Sequence, residues 1–172
     1  DSITINYESM DKMSDDFTNN VDLDIGLNHS NLAIKDIAYF APSLKRDAFF
    51  KNNFDEILQV SGHISGKINK LNVKDLDISI PGKLRLLTDF RSNDLAKANN
   101  AILNLNIHQL TTNIDFLDKA IPGLTLPTNF KKIGNIAFEG RFDGFFTDFV
   151  TFGKVKTNLG NLKLDVRMDL LN

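Results

Sequence analysis

The chain has no cysteine, no tryptophan, only four prolines in 172 residues, and no marked excess of either charge. Without cysteine it has no disulfides, thiolate metal sites or thiol nucleophiles. A formal net charge of −2 supplies no basic stripe for nucleic acid. No apolar run approaches the roughly 18 residues of a membrane-crossing helix. The opening "DSITINYES" lacks the basic and apolar regions of a signal peptide and reads as an alternating strand. Any signal or anchor is therefore expected outside this sequence. His29, His63 and His108 stand at no metal-ligand spacing, and there is no HExxH, GxSxG or P-loop. "GRFDG" is too short for a dinucleotide loop and runs on into more strand. The acidic pairs Asp15–Asp16 and Asp22/Asp24 lack the glycine and terminal glutamate of a calcium loop. Neither an enzyme, a metal nor a cofactor is expected.

What is present is alternation. Val21, Leu23, Ile25, Leu27, Val60, Ile64, Ile68, Leu76, Ile78, Ile80, Leu84 and Leu86 fall on one face of successive strands. Leu103, Leu105, Ile107, Phe138, Phe142, Phe146, Leu162, Leu164 and Val166 continue it. Asp22, Asp24, His63, Ser65, Lys67, Asp77, Lys83, Arg85, Asn104, Asn106, Arg141, Asp143, Lys163 and Asp165 fall on the other. One apolar and one wet face predict a mainly β chain with an antiparallel sheet. Alternation reports a face and not its occupant. The cover is either an ordinary packed core or an apolar groove with room for acyl chains. Phe145, Phe146, Phe149 and Phe152 read as a core aromatic cluster.

The pattern occurs twice. "VSGHISGKINKL" from Val60 matches "FEGRFDGFFTDF" from Phe138, with Gly62 against Gly140 and Gly66 against Gly144 at an offset of 78. "PGKLRLLTDF" from Pro81 matches "LGNLKLDVRM" from Leu159 at the same offset. "VDLDIGL" from Val21 matches "AILNLNI" from Ala101 at an offset of 80. Each unit reads as strand, short helix and three strands, giving the end of a preceding unit over 1–20, one unit over 21–100 and an incomplete one over 101–172. Ile34, Ile37, Ala38 and Ala41 have the spacing of a buried helical face, as do Ile114, Leu117 and Ile121. Ser30 or Asn31, and Thr112 or Asn113, are the expected N-caps. Pro42 and Pro122 are expected to end the helices, with a further turn in "KRDAFFKNNFDEI", a second in "PTNFKKIG" stopped by Gly134, and a loop over 91–100. Glycine weakens a strand interior, so Gly62, Gly66, Gly140 and Gly144 are expected to allow inward curvature, or to mark bulges or close contacts.

Over about Asn20 to Asp169 the chain resembles the periplasmic repeat region of TamB-type proteins of Bacteroidetes. These belong to the wider AsmA-like, bridge-like lipid transfer group. The resemblance rests on Phe40, Pro42 and Leu44, on Ser61, Gly62 and Gly66 with Leu71, Val73 and Leu76, and on the phenylalanine–glycine-rich block closing in Thr157, Leu159 and Gly160. The stretch after Phe90, "RSNDLAK", departs from the family's Gly-Leu-Pro.

The resemblance implies an inner-membrane-anchored, periplasm-spanning protein whose strands form a curled, taco-like sheet with an apolar concave face. That groove would carry phospholipid acyl chains between the membranes. An Omp85-type outer-membrane barrel would be engaged through a region outside this chain. The groove candidates are then Leu23, Ile25, Val60, Ile64, Ile68, Ile78, Leu84, Leu86, Leu103, Leu105, Phe138, Phe142, Phe146, Leu162 and Leu164. A filled β-repeat stalk, and a scaffold offering sheet edges to outer-membrane protein strands, are the competing expectations.

Overall fold

Among the described residues, nine strands form one open antiparallel sheet, ordered β1 to β9 as in the chain. The computed structural model describes residues 1–36, 48–94, 101–120, 127–145 and 147–169. The expectations for Ile37, Ala38, Ala41, Pro42, Ile121, Pro122 and Phe146, and for most of the 91–100 loop, lie outside the described residues. The strands are β1 Ser2–Tyr7, β2 Val21–Ala33, β3 Ile57–Lys67, β4 Lys70–Ile80 and β5 Leu84–Asn93. They continue as β6 Ile102–Asn113, β7 Asn135–Gly144, β8 Asp148–Thr157 and β9 Gly160–Asp169. Helices α1 Met10–Asp15 and α2 Phe17–Asn20 join β1 to β2. Helix α3 Ala48–Asn52 precedes β3, and α4 Ile114–Ala120 with a 3₁₀ helix, Thr128–Ile133, joins β6 to β7.

Register places the apolar residues on one side. Ile5 faces Leu23, Ile25 faces Ile64, Ile64 faces Val73, and Val73 faces Phe90. Phe90 faces Leu105, Leu105 faces Phe142, and Gly153 on β8 faces Leu164. Ile68 departs from its expected place, because it occupies the β3–β4 hairpin turn and not a strand. The helix expected after Ser30 or Asn31 also begins later. Both residues belong to β2, and helical backbone starts at 34. Asn113 does cap α4, accepting from the Phe116 N–H at 2.8 Å. Gly134, at φ 63°, stops the 3₁₀ helix. Helices α1 and α2 were not anticipated, although Ser9 and Asp16 carry cap signals: each side chain accepts from a backbone N–H three residues on.

A line of irregularities crosses the strands at mid-length. On β2, Asn28 and His29 oppose the single Ser61 of β3. On β4, Asp75 is an extra residue against both neighbours. On β6, His108 is extra against β5, and His108 and Gln109 oppose Glu139 of β7. His29 and Asp75 have φ of 54° and 51°. Bulges bend a strand and increase its twist, so bulges in one transverse row crease the sheet from β2 to β6. Gly62 is part of this row, opposite the β4 bulge. Further along, where β7 and β8 have no bulge, Gly140 pairs with Gly153 in register. The Phe138 ring covers both glycines, within 2.7 Å of where either Cβ would stand.

Gly66 and Gly144 serve the hairpin ends. Their φ values are 100° and 139°, and an added Cβ would meet the carbonyl oxygens of Lys70 and Asp148 at 2.6 and 2.5 Å. Gly82, at φ 73°, has open space where its Cβ would be. Gly82→Ala is expected to cost about 1–2 kcal/mol for left-handed backbone alone. Gly144→Ala is expected to cost more, because the β7–β8 hairpin must open as well. Denaturant unfolding of the two variants checks this, and equal losses would contradict the close approach.

Candidate functional site

The two ends of the strands differ. At the rim formed by the ends of β2, β4 and β6, Ile34, Ile80 and Phe116 form a buried cluster. Phe50 of α3, Leu58 and Leu84 pack against it. Helices α3 and α4 touch each other there, so their described parts cover the margin of the apolar face and leave its length uncovered. At the opposite rim, α2 is tied to the β3–β4 turn, and α1 packs on α2. Asn69 donates to Asn19 Oδ1 at 2.6 Å, and its N–H reaches the Thr18 carbonyl.

Between the rims, a second cluster straddles the crease. Val60, Val73 and Leu76 are buried, with Leu27, Ile64, Ile78 and Phe90 packed on them. Among the described residues no second sheet lies over this face. Of the groove candidates, Val60 and Leu103 are buried, while Leu23, Ile25, Ile64, Ile68, Ile78, Leu84, Leu86, Leu105, Phe138, Phe142 and Leu164 are half-buried. Leu162, on edge strand β9, is 59% exposed, and Ile3 on edge strand β1 is 67% exposed. A filled core would bury the central members completely. Half-burial in a creased single layer describes an apolar trough whose walls shield each other. Phe142 and Phe149 stack in its far half, with centroids 4.5 Å apart.

The other face is polar and paired across strands. Arg85 meets Asp77 at 2.9 Å, His63 lies 3.5 Å from Asp24, and Asn104 donates to Asp143 at 2.9 Å. A depression of about 480 Å³ on this face lies among Lys83, Arg85, Thr111, Ala137 and Lys156. Two of its cations are already matched, Lys83 by Glu56 and Arg85 by Asp77. Among the described residues no cluster of His, Asp and Glu could hold a metal ion, and no helix is long and apolar enough to cross a membrane.

Asp89 holds the crease. Its Oδ1 accepts the N–H of the bulged Asp75 at 2.8 Å, and its Oδ2 lies 2.8 Å from Nε2 of His108, the bulge residue of β6. One carboxylate thus ties the bulges on either side of β5. Next to it, Thr88, 1% exposed, donates to the Asn106 carbonyl at 2.9 Å. The alternation hinted at this crease. The apolar residues fall on odd numbers through Leu71 and Val73, then on even numbers through Leu76, Ile78 and Ile80. The change of parity marks an extra residue at Lys74–Asp75, and β6 changes likewise between Ile107 and Leu110.

One strand breaks the expected sidedness. Phe152 is not core. It faces Arg141 and Asp165 on the polar side and is 43% exposed, while Thr151 and Gly153 occupy the trough side. Phe145 is 37% exposed. Of the expected aromatic cluster, only Phe149 is placed in the trough among the described residues.

Comparison of the chain with protein-family models, with curated proteins and with solved structures found no match.

The Asp75 N–H first, then the His108 ring, hold the Asp89 carboxyl below its ordinary range. A carboxyl with a lowered folded pKa adds stability that is present above its unfolded value of about 3.9. That contribution fades as pH falls through the folded value. Asp89→Asn keeps an acceptor for Asp75 but removes the charge. The variant is expected to be less stable than the parent at neutral pH, with the difference shrinking on acidification. Urea unfolding at a series of pH values checks this, and a pH-independent difference would contradict it.

Proposed function

We propose that the chain is a segment of a TamB- or AsmA-like protein that carries phospholipid acyl chains along its apolar trough, between inner and outer membranes. The observation that carries this reading is the continuity of the apolar face. Among the described residues it runs from β1 to β7, is carried over β8 by Phe149 and Val155 at either end and resumes on β9, is half-buried along its middle, and has no second sheet over it. An acyl chain lying there would be shielded at about 0.8 kcal/mol per buried CH₂. Because aliphatic neighbours repeat from strand to strand, it would gain and lose nearly equal contact at each step. Such transport needs a track and no catalytic group.

The same reading sets the protein in the periplasm, anchored in the inner membrane and meeting an Omp85-type barrel through parts outside this chain. The resemblance supports that placement, as does the pattern of a strand, helices and three strands, which runs from β2 to β5 and again from β6 to β9.

Two adjacent positions test the reading. Ile64 faces Ile25 and Val73 in the trough, while His63 faces outward and is half-exposed beside Asp24. A photo-crosslinking residue at Ile64 in the full-length protein in cells is expected to give lipid adducts, and one at His63 none. Folded, abundant protein with no adduct at Ile64 would remove the conduit reading for this segment.

A further inference from the structure

Strand β8 turns two apolar side chains to the wet face. Val150 and Phe152 are 42% and 43% exposed there. At the matching positions of the first unit, 78 residues earlier, stand Asn72 and Lys74, so the exposure belongs to this strand and not to the repeat. Register sets the neighbours in two rows. Phe152 lies between Arg141 on β7 and Asp165 on β9, and Val150 lies between Asp143 and Arg167. Arg141 and Asp165 make no ion pair among the described residues. Arg167 reaches Asp148 only at 3.4 Å, with 72% of its side chain exposed.

From this pattern we infer that the patch is a back-to-back interface with a second copy of the chain. An apolar centre ringed by charges has the anatomy of a protein contact. The order of the charges selects a copy of itself. Consider a twofold axis lying in the face, across the strands and between the two rows. It sets Phe152 on the partner's Val150, Arg141 on the partner's Asp143 and Asp165 on the partner's Arg167. It also brings Lys154, one step along β8, over the partner's Asp148. A twofold along the strands would also oppose Arg141 to Asp165 and Asp143 to Arg167, but it would stack Lys154 on Lys154 and Asp148 on Asp148, so the first axis is the one assigned. Sheets packed face to face lie about 10 Å apart, a gap that Phe152 and Val150 side chains fill from both sides. The pairing leaves each trough facing away from the contact and open. The inference is independent of what the trough carries.

Sedimentation velocity over a range of concentrations tests it. The chain is expected to form dimers. Phe152→Asp is expected to weaken association by about thirtyfold or more, as for a central hot-spot aromatic. Asp165→Arg is expected to weaken it too, and adding Arg167→Asp to that variant is expected to restore it, because the two positions face each other across the assigned axis. These side chains are exposed, so far-UV circular dichroism should match the parent, and thermal melting should match it at concentrations low enough for both to be monomeric. A chain that stays monomeric overturns the inference. So does association undiminished by Phe152→Asp, which would assign it to the open edges of β1 and β9 or to the trough. Failure of the double exchange to restore dimers overturns the assigned axis.

Discussion

An apolar sheet face has to be withdrawn from water, and within the described residues this chain has one layer with which to do it. A flat sheet would leave Ile25, Ile64, Val73, Leu86 and Leu105 in solvent. The row of bulges at His29, Asp75 and His108 bends the layer along one line, so that the two halves of each strand shelter one another. Asp89 satisfies the backbone freed at Asp75 and ties it to His108, and Gly140 with Gly153 continues the line where bulges stop. The burial of Val60, Val73 and Leu76 follows from that crease.

The crease also explains why, among the described residues, the apolar face is sheltered without being filled. Side chains at mid-trough stay half-buried, which is the condition under which a long flexible apolar guest gains from contact yet is not trapped. Deep, closed pockets bind tightly and release slowly, whereas an even track of aliphatic side chains equalises one position with the next. The polar back face is built on different terms. Some of its charges are matched across strands, as Arg85 with Asp77 and His108 with Asp89, and the exposed apolar pair Val150 and Phe152 is where a second copy would gain most.

Much of this was legible in the residues. Period-two alternation over Val21–Leu27, Leu84–Leu86 and Leu103–Ile107 determined sidedness, because adjacent side chains on a strand must point opposite ways. The doubled glycines pointed to the places where a side chain cannot fit. What escaped was local. Ile68 continues the alternation in sequence but falls in a hairpin, since a turn is set by Lys67–Asn69 as a group and not by hydropathy. Phe152 was grouped with its aromatic neighbours, although parity from Phe149 and Val155 already sent it outward. The short helices α1 and α2 have no apolar stripe and are held by caps at Ser9 and Asp16, a signal weak beside strand periodicity. The trough's shape depended on three parity changes whose meaning emerges only when strands are set side by side.

The most direct test of the open trough is methyl NMR of the folded chain with a doxyl-labelled fatty acid as the apolar probe. The account predicts paramagnetic broadening in a connected track through the methyl groups of Ile25, Ile64, Leu86 and Leu105, with Val150 on the back face unaffected. Broadening that is absent from the trough, or as strong at Val150 as at Ile64, would contradict it.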